Sequence, residues 1–353
     1  MIAPWRAPLE ARLTALASTA VLGLPQRHIA NPAGSAPEVA HGAAQLQEML
    51  AGQITSGGKR LRGLLPVAVV AACQGPVAAA LELGACVELV HNGTLVHDDV
   101  QDNDRLRRGR PTLWAIHGMP QAINVGDALL VAPIALLLRA ACLPAASRAD
   151  IALLLAEALV ETVRGQVADI ALRDTILGLP DDAPITLAQL TAVHVAKTAP
   201  LFGVCLQGAA ILLDGTQHQQ AAAQACARAL GLAFQVRDDL LDMVGTKGRG
   251  DAGADLREGK VTAPLLLAMA DAPPAQCAAL RQVLRQAAAT DGIDDRAVAN
   301  WVQWTTERGG TVRASAWLDE LLAQAQSTGA AAFGAQGAAV IAAVCARLAH
   351  LDG

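Results

Sequence analysis

The sequence contains no Tyr, and only 2% of its residues are aromatic. Large β-sheets draw on aromatic and β-branched side chains, so this scarcity, beside an abundance of Ala and Leu, favours helices. The net charge is -5, and no basic stripe is interleaved with aromatic residues, which argues against a nucleic-acid-binding surface. Hydrophobic residues make up 53% of the 353 positions, enough for one large domain or two ordinary ones.

The seven cysteines are scattered along the chain, and none forms a CxxC pair. Such a set is typical of reduced, buried thiols and predicts neither a disulfide framework nor a zinc site. The first twenty residues carry Arg6, Glu10 and Arg12 and lack the clean apolar stretch of a signal peptide. These two observations predict a cytoplasmic protein.

Long uninterrupted hydrophobic runs are also lacking. The apolar stretches near 64–90, 128–138 and 199–213 are too short, or too broken by polar residues and Pro, to make good membrane spans. We expect them to be core helices, with no membrane span.

Apolar residues recur at three-to-four spacing over most of the chain, which predicts α-helices. Pro and Gly mark loops at 23–42, near 108–111 and at 245–259. We find no linker and no repeat of fixed period, so the predicted fold is all-α: a single large helical bundle. Residues 1–45 are expected to form an N-terminal helix and a mobile loop, and residues 46–353 the bundle itself.

Two acidic motifs stand out, at residues 98–102 (DDVQD) and 238–242 (DDLLD). On a helix the first and last aspartates of each motif share a face, and the second lies beside them. Clustered carboxylates repel one another and call for a cation; Mg²⁺ binds a few carboxylates and completes its shell with water and substrate phosphate. The six candidate metal ligands are Asp98, Asp99, Asp102, Asp238, Asp239 and Asp242.

The alternative without a function is that these motifs are acidic helix faces exposed to solvent. Two copies weaken that interpretation, as does their setting, because both emerge from apolar helical segments. Acidic groups in such segments more often line a cavity than a featureless surface. The two motifs therefore favour diphosphate binding through Mg²⁺.

Basic residues stand near both motifs. Gly57 and Gly58 precede Lys59 and Arg62, and the amides of a helix that begins there would form an anion site with these cations; spacing alone equally fits two surface cations. Further candidates follow the acidic motifs or interrupt apolar runs: Arg107, Arg108, Lys197 and Lys260. His91 lies two helical turns before Asp98, on the same face, where a satisfied core histidine is the common alternative.

Taken together and in order, these motifs resemble the trans-isoprenyl diphosphate synthase (polyprenyl synthetase) family from about residue 57 to residue 264. The matching segments are 58–62 (GKRLR), 88–91 (ELVH), 95–102 (LVHDDVQD), 107–112 (RRGRPT), 126–127 (GD), 165–169 (GQVAD), 197–198 (KT), 234–242 (FQVRDDLLD) and 255–264 (DLREGKVTAP). The resemblance implies the isoprenoid synthase type I fold, a helical bundle around a central apolar cavity. The chain departs from the family pattern at Gly63, where Pro is usual, and in the glycine-rich segment 245–254.

The resemblance also implies roles. The main Mg²⁺ ligands would be Asp98, Asp102 and Asp238, assisted by Asp99, Asp239 and Asp242. The groups that grip the allylic diphosphate would be Arg107, Lys197 and Lys260. Those that hold isopentenyl diphosphate would be Lys59, Arg62, His91 and Arg108. Thr198 and Gln235 would lie near the reacting carbons, and the catalytic set would be Asp98, Asp99, Asp102, Lys197, Asp238 and Lys260.

The implied reaction is head-to-tail condensation of isopentenyl diphosphate with an allylic diphosphate, by a homodimer. In this family an aromatic residue shortly before the first motif favours farnesyl products. Gly93 and Thr94 occupy that place here, so we expect geranylgeranyl or longer products and expect Gly93→Phe to shorten them. An open alternative is that Gly93 only permits close helix packing.

Rival interpretations on the same scaffold remain. A class I terpene cyclase shares the acidic motifs and Mg²⁺ but has no use for a second diphosphate site. A non-catalytic partner subunit is expected to lose acids from one motif, and this chain keeps all six. A farnesyl diphosphate synthase, or an enzyme of branched coupling, is also compatible with the motifs.

Overall fold

The computed structural model describes residues 1–19, 22, 37–178, 186–245, 252–289 and 293–350. A 3-10 turn at Ala3–Trp5 precedes helices α1 (Arg6–Ala17), α2 (Pro37–Thr55), α3 (Leu61–Ala72), α4 (Val77–Gln101), α5 (Leu113–His117), α6 (Met119–Arg139), α7 (Ala145–Gly178), α8 (Leu187–Leu212), α9 (Gln217–Met243), α10 (Ala254–Arg257), α11 (Ala263–Met269), α12 (Pro274–Ala289), α13 (Asp295–Glu307) and α14 (Gly310–Ala349). Strands β1 (Leu106–Arg107) and β2 (Arg110–Pro111) form a small antiparallel hairpin. The predicted all-α class is confirmed.

The sequence prediction was wrong in places where short-range signals compete. Residues 37–42 were assigned to a loop because of their Pro and Gly, but they begin α2, whose first residue is Pro37. Pro is well tolerated in the first turn of a helix, because its missing N–H has no partner there. The rest of the predicted loop, 23–36, lies outside the described residues.

Two further differences are local. The predicted loop near 108–111 contains the hairpin, and the predicted loop 245–259 contains α10. The two helices predicted at 311–327 and 335–349 run together as α14, which is interrupted at Gly334 by a non-helical conformation with φ 62°.

Three of the described helices are long and apolar enough to cross a membrane, judged by length and composition alone: Met119–Arg139, Leu187–Leu212 and Gly310–Ala349. Two of these helices contain the apolar runs near 128–138 and 199–213, and the expectation that such runs are core helices with no membrane span remains a prediction.

The chain divides into two compact units, and the prediction of a single domain remains a prediction. The first unit comprises Met1–Leu159 and Val204–Ala221. Its centre is α4, against which α3 and α6 pack. The backbones of α3 and α4 meet at two glycines, and a Cβ at Gly63 would lie only 2.8 Å from the carbonyl oxygen of Gly84. Arg12 of α1 pairs with Glu82 of α4 at 2.7 Å, so the first helix is fixed to the same core.

The second unit comprises Val160–Gly203 and Ala222–Gly353. Its helix α9 buries most of its second half, including the segment that carries the second acidic motif. A Cβ at Gly231 would lie 2.7 Å from Cα of Ala199, so α8 and α9 are in backbone contact there. A separate apolar cluster joins α9 to the following helices through Met243, Leu256 and Leu284.

Candidate active site

The first acidic motif occupies the C-terminal end of α4. Asp98 is half-buried and Asp102, the C-cap residue, is exposed. Asp99 is buried and forms an ion pair with Arg107, which the β-hairpin brings back against the helix. Burial raises the pKa of Asp99 to about 6, although Arg107 acts in the opposite direction. Asp98 and Asp102 are therefore the better-exposed carboxylates of this motif, and Asp99 orients Arg107.

The second acidic motif lies near the end of α9, and two of its three aspartates bind backbone amides. Asp239 accepts a hydrogen bond from the N–H of Ala263 at 2.8 Å. Asp242 accepts one from the N–H of Asp255 at 3.2 Å, in the first turn of α10. These buried carboxylates attach the segment after α9 to the helix, whereas Asp238 is half-buried and lies 3.9 Å from Nη1 of Arg237.

The donor chemistry of these motifs suits a hard divalent cation. Within the described ranges, no group of three or more His, Cys, Asp or Glu side chains is already arranged as a metal cage. Mg²⁺ does not require one, because it usually takes one or two carboxylates and fills its octahedron with water and substrate phosphate. Asp98 and Asp102, four residues apart at a helix end, fit such an open site.

A cluster of guanidinium groups surrounds His91 in the first unit. Nη1 of Arg62 lies 3.4 Å from Nε2 of His91. Burial is the first reason why the pKa of His91 is well below its usual value, and the positive charges of Arg62, Arg108 and Arg107 lower it further. Burial, together with the positive charges of Arg107 and Arg60, also lowers the pKa of Arg108. So many like charges in one place favour binding of a polyanion such as a diphosphate.

Arg60 belongs to the same basic motif but faces the protein interior. It has a left-handed backbone conformation, φ 52°, directly before α3. Its Nε donates to Glu10 at 3.1 Å, and its Nη1 lies 3.5 Å from Glu88. The backbone N–H of Gly63 also donates to Glu88, at 2.8 Å, a bond that the usual Pro could not make. The departure at Gly63 is thus matched to a buried carboxylate.

The glycine turn before α3 is held by two arginines from distant segments. Gly57 and Gly58 have φ values of 90° and 139°. Arg108 donates from Nη1 to the carbonyl oxygen of Gly57 at 2.9 Å, and Arg6 donates from Nη2 to that of Gly58 at 2.8 Å. Lys59 is exposed at the end of this turn, where it is accessible to a ligand.

In the second unit, Lys197 pairs with a carboxylate that the sequence motif contained but to which no role was given. Its Nζ lies 2.8 Å from Oδ2 of Asp169. The pair forms because α7 and α8 touch at Gly165, where a Cβ would lie 2.5 Å from Cα of Lys197. Thr198, the next residue, is buried. The sequence did contain a signal for Asp169, because this residue lies four positions after Gly165, about one helical turn further along the same helix face.

The remaining predicted ligand-binding residues of this unit are more exposed. Lys260 is half-buried, and its Nζ lies 2.8 Å from Oε2 of Glu258. Gln235 is half-buried on α9. Both units thus contain an aspartate motif together with candidate cations for ligand binding.

The predicted chain-length residues lie one turn before the first motif. Gly93 is buried against α6, and a Cβ there would lie 3.0 Å from Cβ of Leu129 and 3.1 Å from the carbonyl oxygen of Gly126. These contacts support the packing role for Gly93, while its effect on product length remains a prediction. Thr94 is half-buried, and its hydroxyl donates to the carbonyl of His91 at 2.9 Å.

A surface cleft of about 440 Å³ also opens in the first unit. Its lining includes Asp150, Glu157 and Asp214 and none of the predicted site residues. Its carboxylates would repel a diphosphate, so the cleft does not compete with the cation cluster as an anion site.

A helical fold with paired carboxylate motifs and clustered guanidinium groups defines a class of proteins suited to binding phosphorylated ligands with a divalent cation. The family model described as polyprenyl synthetase matches residues 43–300. The chain belongs to this family, as the sequence motifs indicated.

Relatives with different named products are similar to this chain. It is 37% identical to a geranylgeranyl diphosphate synthase of Mycobacterium tuberculosis over 216 residues, which are 61% of this chain and 59% of the relative. It is 34% identical to the octaprenyl diphosphate synthase of Haemophilus influenzae, over 69% of this chain and 70% of the relative. The chain thus spans about three fifths of the first of these relatives.

Solved structures share the fold over almost the whole chain. A polyprenyl synthetase from Streptomyces coelicolor superposes with a TM-score of 0.80 at 22% identity, covering 99% of this chain and 100% of that one. A decaprenyl diphosphate synthase from Rhodobacter capsulatus gives 0.78 at 25% identity, covering 99% and 97%. The predicted isoprenoid synthase fold is confirmed.

Proposed function

We propose that this protein is a polyprenyl diphosphate synthase, which joins isopentenyl diphosphate head-to-tail to an allylic diphosphate and releases pyrophosphate. One observation carries the proposal: Nη1 of Arg62 lies 3.4 Å from Nε2 of His91, and the positive charge of Arg108 acts on the same imidazole, in the unit that bears the first aspartate motif. A cyclase needs only one diphosphate site. Retention of this second set of cations favours a condensing enzyme.

The residues that would hold Mg²⁺ are Asp98 and Asp102 in the first unit, and Asp238 is the corresponding candidate in the second. When bound there, Mg²⁺ supplies the positive charge that stabilises a departing pyrophosphate. Arg107, Lys197 and Lys260 bind the oxygens of the allylic diphosphate and stabilise the negative charge that grows as the C–O bond breaks. Arg107 is oriented for this by Asp99, and Lys197 by Asp169.

A second set of cations, which does not include Arg107, holds the second substrate. Lys59, Arg62 and Arg108 bind the diphosphate of isopentenyl diphosphate, and His91, kept neutral by its surroundings, contributes a ring N–H rather than a charge. By the family resemblance, Thr198 and Gln235 would lie near the reacting carbons and the departing pyrophosphate. The allylic C–O bond ionises, and the double bond of isopentenyl diphosphate attacks the resulting carbocation. The proton then lost passes to the pyrophosphate while it is still bound.

The deciding experiment supplies purified protein and Mg²⁺ with isopentenyl diphosphate and dimethylallyl, geranyl or farnesyl diphosphate in separate reactions. We expect prenyl diphosphates and pyrophosphate only when both substrates are present. Hydrocarbon formed without isopentenyl diphosphate would identify a cyclase, and absence of turnover a partner subunit. Arg62→Met should raise the KM for isopentenyl diphosphate, whereas Arg110→Met, an exposed arginine of β2, is the matched control.

The proposed product is geranylgeranyl diphosphate or a longer chain, because neither Gly93 nor Thr94 offers an aromatic barrier. The named relatives include farnesyl, geranylgeranyl and octaprenyl synthases. Since Gly93 packs on α6, Thr94→Phe is the cleaner test. It should shorten the product in a chain-length separation, and an unchanged distribution counts against this proposal.

A homodimer and a cytoplasmic location belong to the same proposal. In the second unit, α7 exposes apolar side chains on one face: Val160, Val163, Val167 and Ile170 are 44–62% exposed. Separately, in the first unit, α6 exposes Ile123, Val131 and Leu138. Apolar helix faces of this kind are typical of subunit interfaces. The location rests on the scattered cysteines of the sequence, and cell fractionation tests it.

A further inference from the structure

His97 precedes Asp98 directly, and its ring lies on the neighbouring helix α6. Its Nε2 donates to the carbonyl oxygen of Ile123 at 3.4 Å and lies 3.5 Å from Oδ1 of Asp127. The side chain therefore crosses from the last turns of α4 to the backbone of α6. Both helices belong to the first unit.

Gly126 makes room for this ring. A Cβ at this position would overlap Nε2 and Cδ2 of His97, so any other residue would displace the imidazole. One turn earlier on α4, Gly93 also approaches Gly126, because a Cβ on Gly93 would lie 3.1 Å from the carbonyl oxygen of Gly126. Gly93 and His97 thus fix α4 on α6 at two successive turns.

This contact lies on α4 immediately before the first aspartate motif, which is why it bears on function. The helix ends at Gln101, and Asp98 and Asp102 stand on its final turn. Terminal turns lack a full set of backbone hydrogen bonds and fray more readily than the interior. A side chain that attaches the helix to its neighbour immediately before Asp98 limits rotation of that turn and hence the direction of both carboxylates.

We propose that His97 is a positioning residue for Asp98 and Asp102, and that its ring packs on Gly126. The inference rests on the proposed binding of Mg²⁺ and diphosphate by this motif. His97 touches neither ligand in this role. It acts by fixing the helix end, as residues that orient metal-binding side chains commonly do.

The test measures binding of inorganic pyrophosphate by calorimetry, with and without Mg²⁺, so it does not depend on turnover. His97→Ala and Gly126→Ala should each weaken the Mg²⁺-dependent binding by about tenfold. The double variant should bind no more weakly than His97→Ala, because a methyl group at 126 has no ring to displace once the imidazole is gone. Gly52→Ala, on α2 where a Cβ meets nothing within 4 Å, is the matched control.

His97→Gln covers the case in which the smaller variants fold poorly, because its amide nitrogen can replace Nε2 and should restore binding close to that of the wild type. If His97 only packs, the alanine variants will unfold at lower temperature yet keep the wild-type affinity, and the inference is overturned. Additive losses in the double variant overturn it as well. Wild-type protein that shows no Mg²⁺-dependent pyrophosphate binding instead refutes the proposed function itself.

Discussion

Arg60 and Glu88 form a buried ion pair beneath the basic motif, with Nη1 and Oε2 3.5 Å apart and side chains only 2% and 3% exposed. Burial raises the pKa of Glu88, and the N–H of Gly63 and the charge of Arg60 oppose that rise. The pair fixes the start of α3 against α4. Arg60 of the basic motif therefore serves the fold, whereas Lys59 and Arg62 are the members to which the proposed function assigns substrate binding.

These different environments predict that substituting Arg60 affects stability, whereas substituting its neighbour Lys59 affects substrate binding. Arg60→Met leaves Glu88 without its cation in the interior and should lower the free energy of unfolding by about 3–5 kcal/mol. Lys59→Met, at an exposed site, should change it by no more than about 0.5 kcal/mol but raise the KM for isopentenyl diphosphate. Urea unfolding and steady-state kinetics measure the two effects. Equal stabilities of the two variants would contradict the assignment.

The depressed pKa of His91 predicts a loss of stability in acid. The unfolded histidine binds a proton near its usual pKa of 6.5, whereas the folded one resists protonation. The stability that His91 contributes is therefore complete above pH 6.5 and is lost as pH falls from there towards the folded pKa. The limiting slope is about 1.4 kcal/mol per pH unit. In His91→Gln this acid loss should be smaller, which urea unfolding between pH 5 and pH 8 will show. If the stabilities of the wild type and of His91→Gln fall in parallel as the pH decreases, this prediction is refuted.

Close packing of α4 on α6 predicts that Gly93 is sensitive even to a methyl group. Its Cβ would lie 3.0–3.1 Å from atoms of Leu129, Leu130 and Gly126, so Gly93→Ala should destabilise the protein by about 1–3 kcal/mol. Gly52→Ala, also on a helix but in open space, should instead be neutral or stabilise by up to about 1 kcal/mol. Thermal unfolding compares the two. If Gly93→Ala leaves the stability unchanged, the packing role of Gly93 is contradicted and only its proposed role in product length remains.

The exposed apolar face of α7 predicts self-association. Val163→Asp places a charge among side chains that a homodimer would bury, and should shift the protein towards monomer in light scattering after gel filtration. Val312→Asp is the control, because Val312 is 69% exposed on α14 and lies outside this face. An unchanged molar mass for Val163→Asp would argue against the proposed interface.

Much of this protein could be predicted locally. Helix periodicity depends on neighbours three and four residues away, so the long helices followed from the apolar spacing. The error at 37–42 arose because Pro and Gly have different meanings in a loop and in the first turn of a helix. The acidic motifs were found for the same local reason, since their spacing alone places the first and last aspartates on one face.

The sequence by itself determined the helical class, the family and the identity of the charged groups, because those depend on residue type and near spacing. Only the tertiary structure decided what each charge does. Asp239 and Asp242 bind amides of a later segment, Asp99 orients Arg107, and Arg60 faces inward while Arg62 approaches His91. A charged group is directed by the partners that folding brings within hydrogen-bonding distance, and those partners lie too far along the chain for any local pattern to specify them.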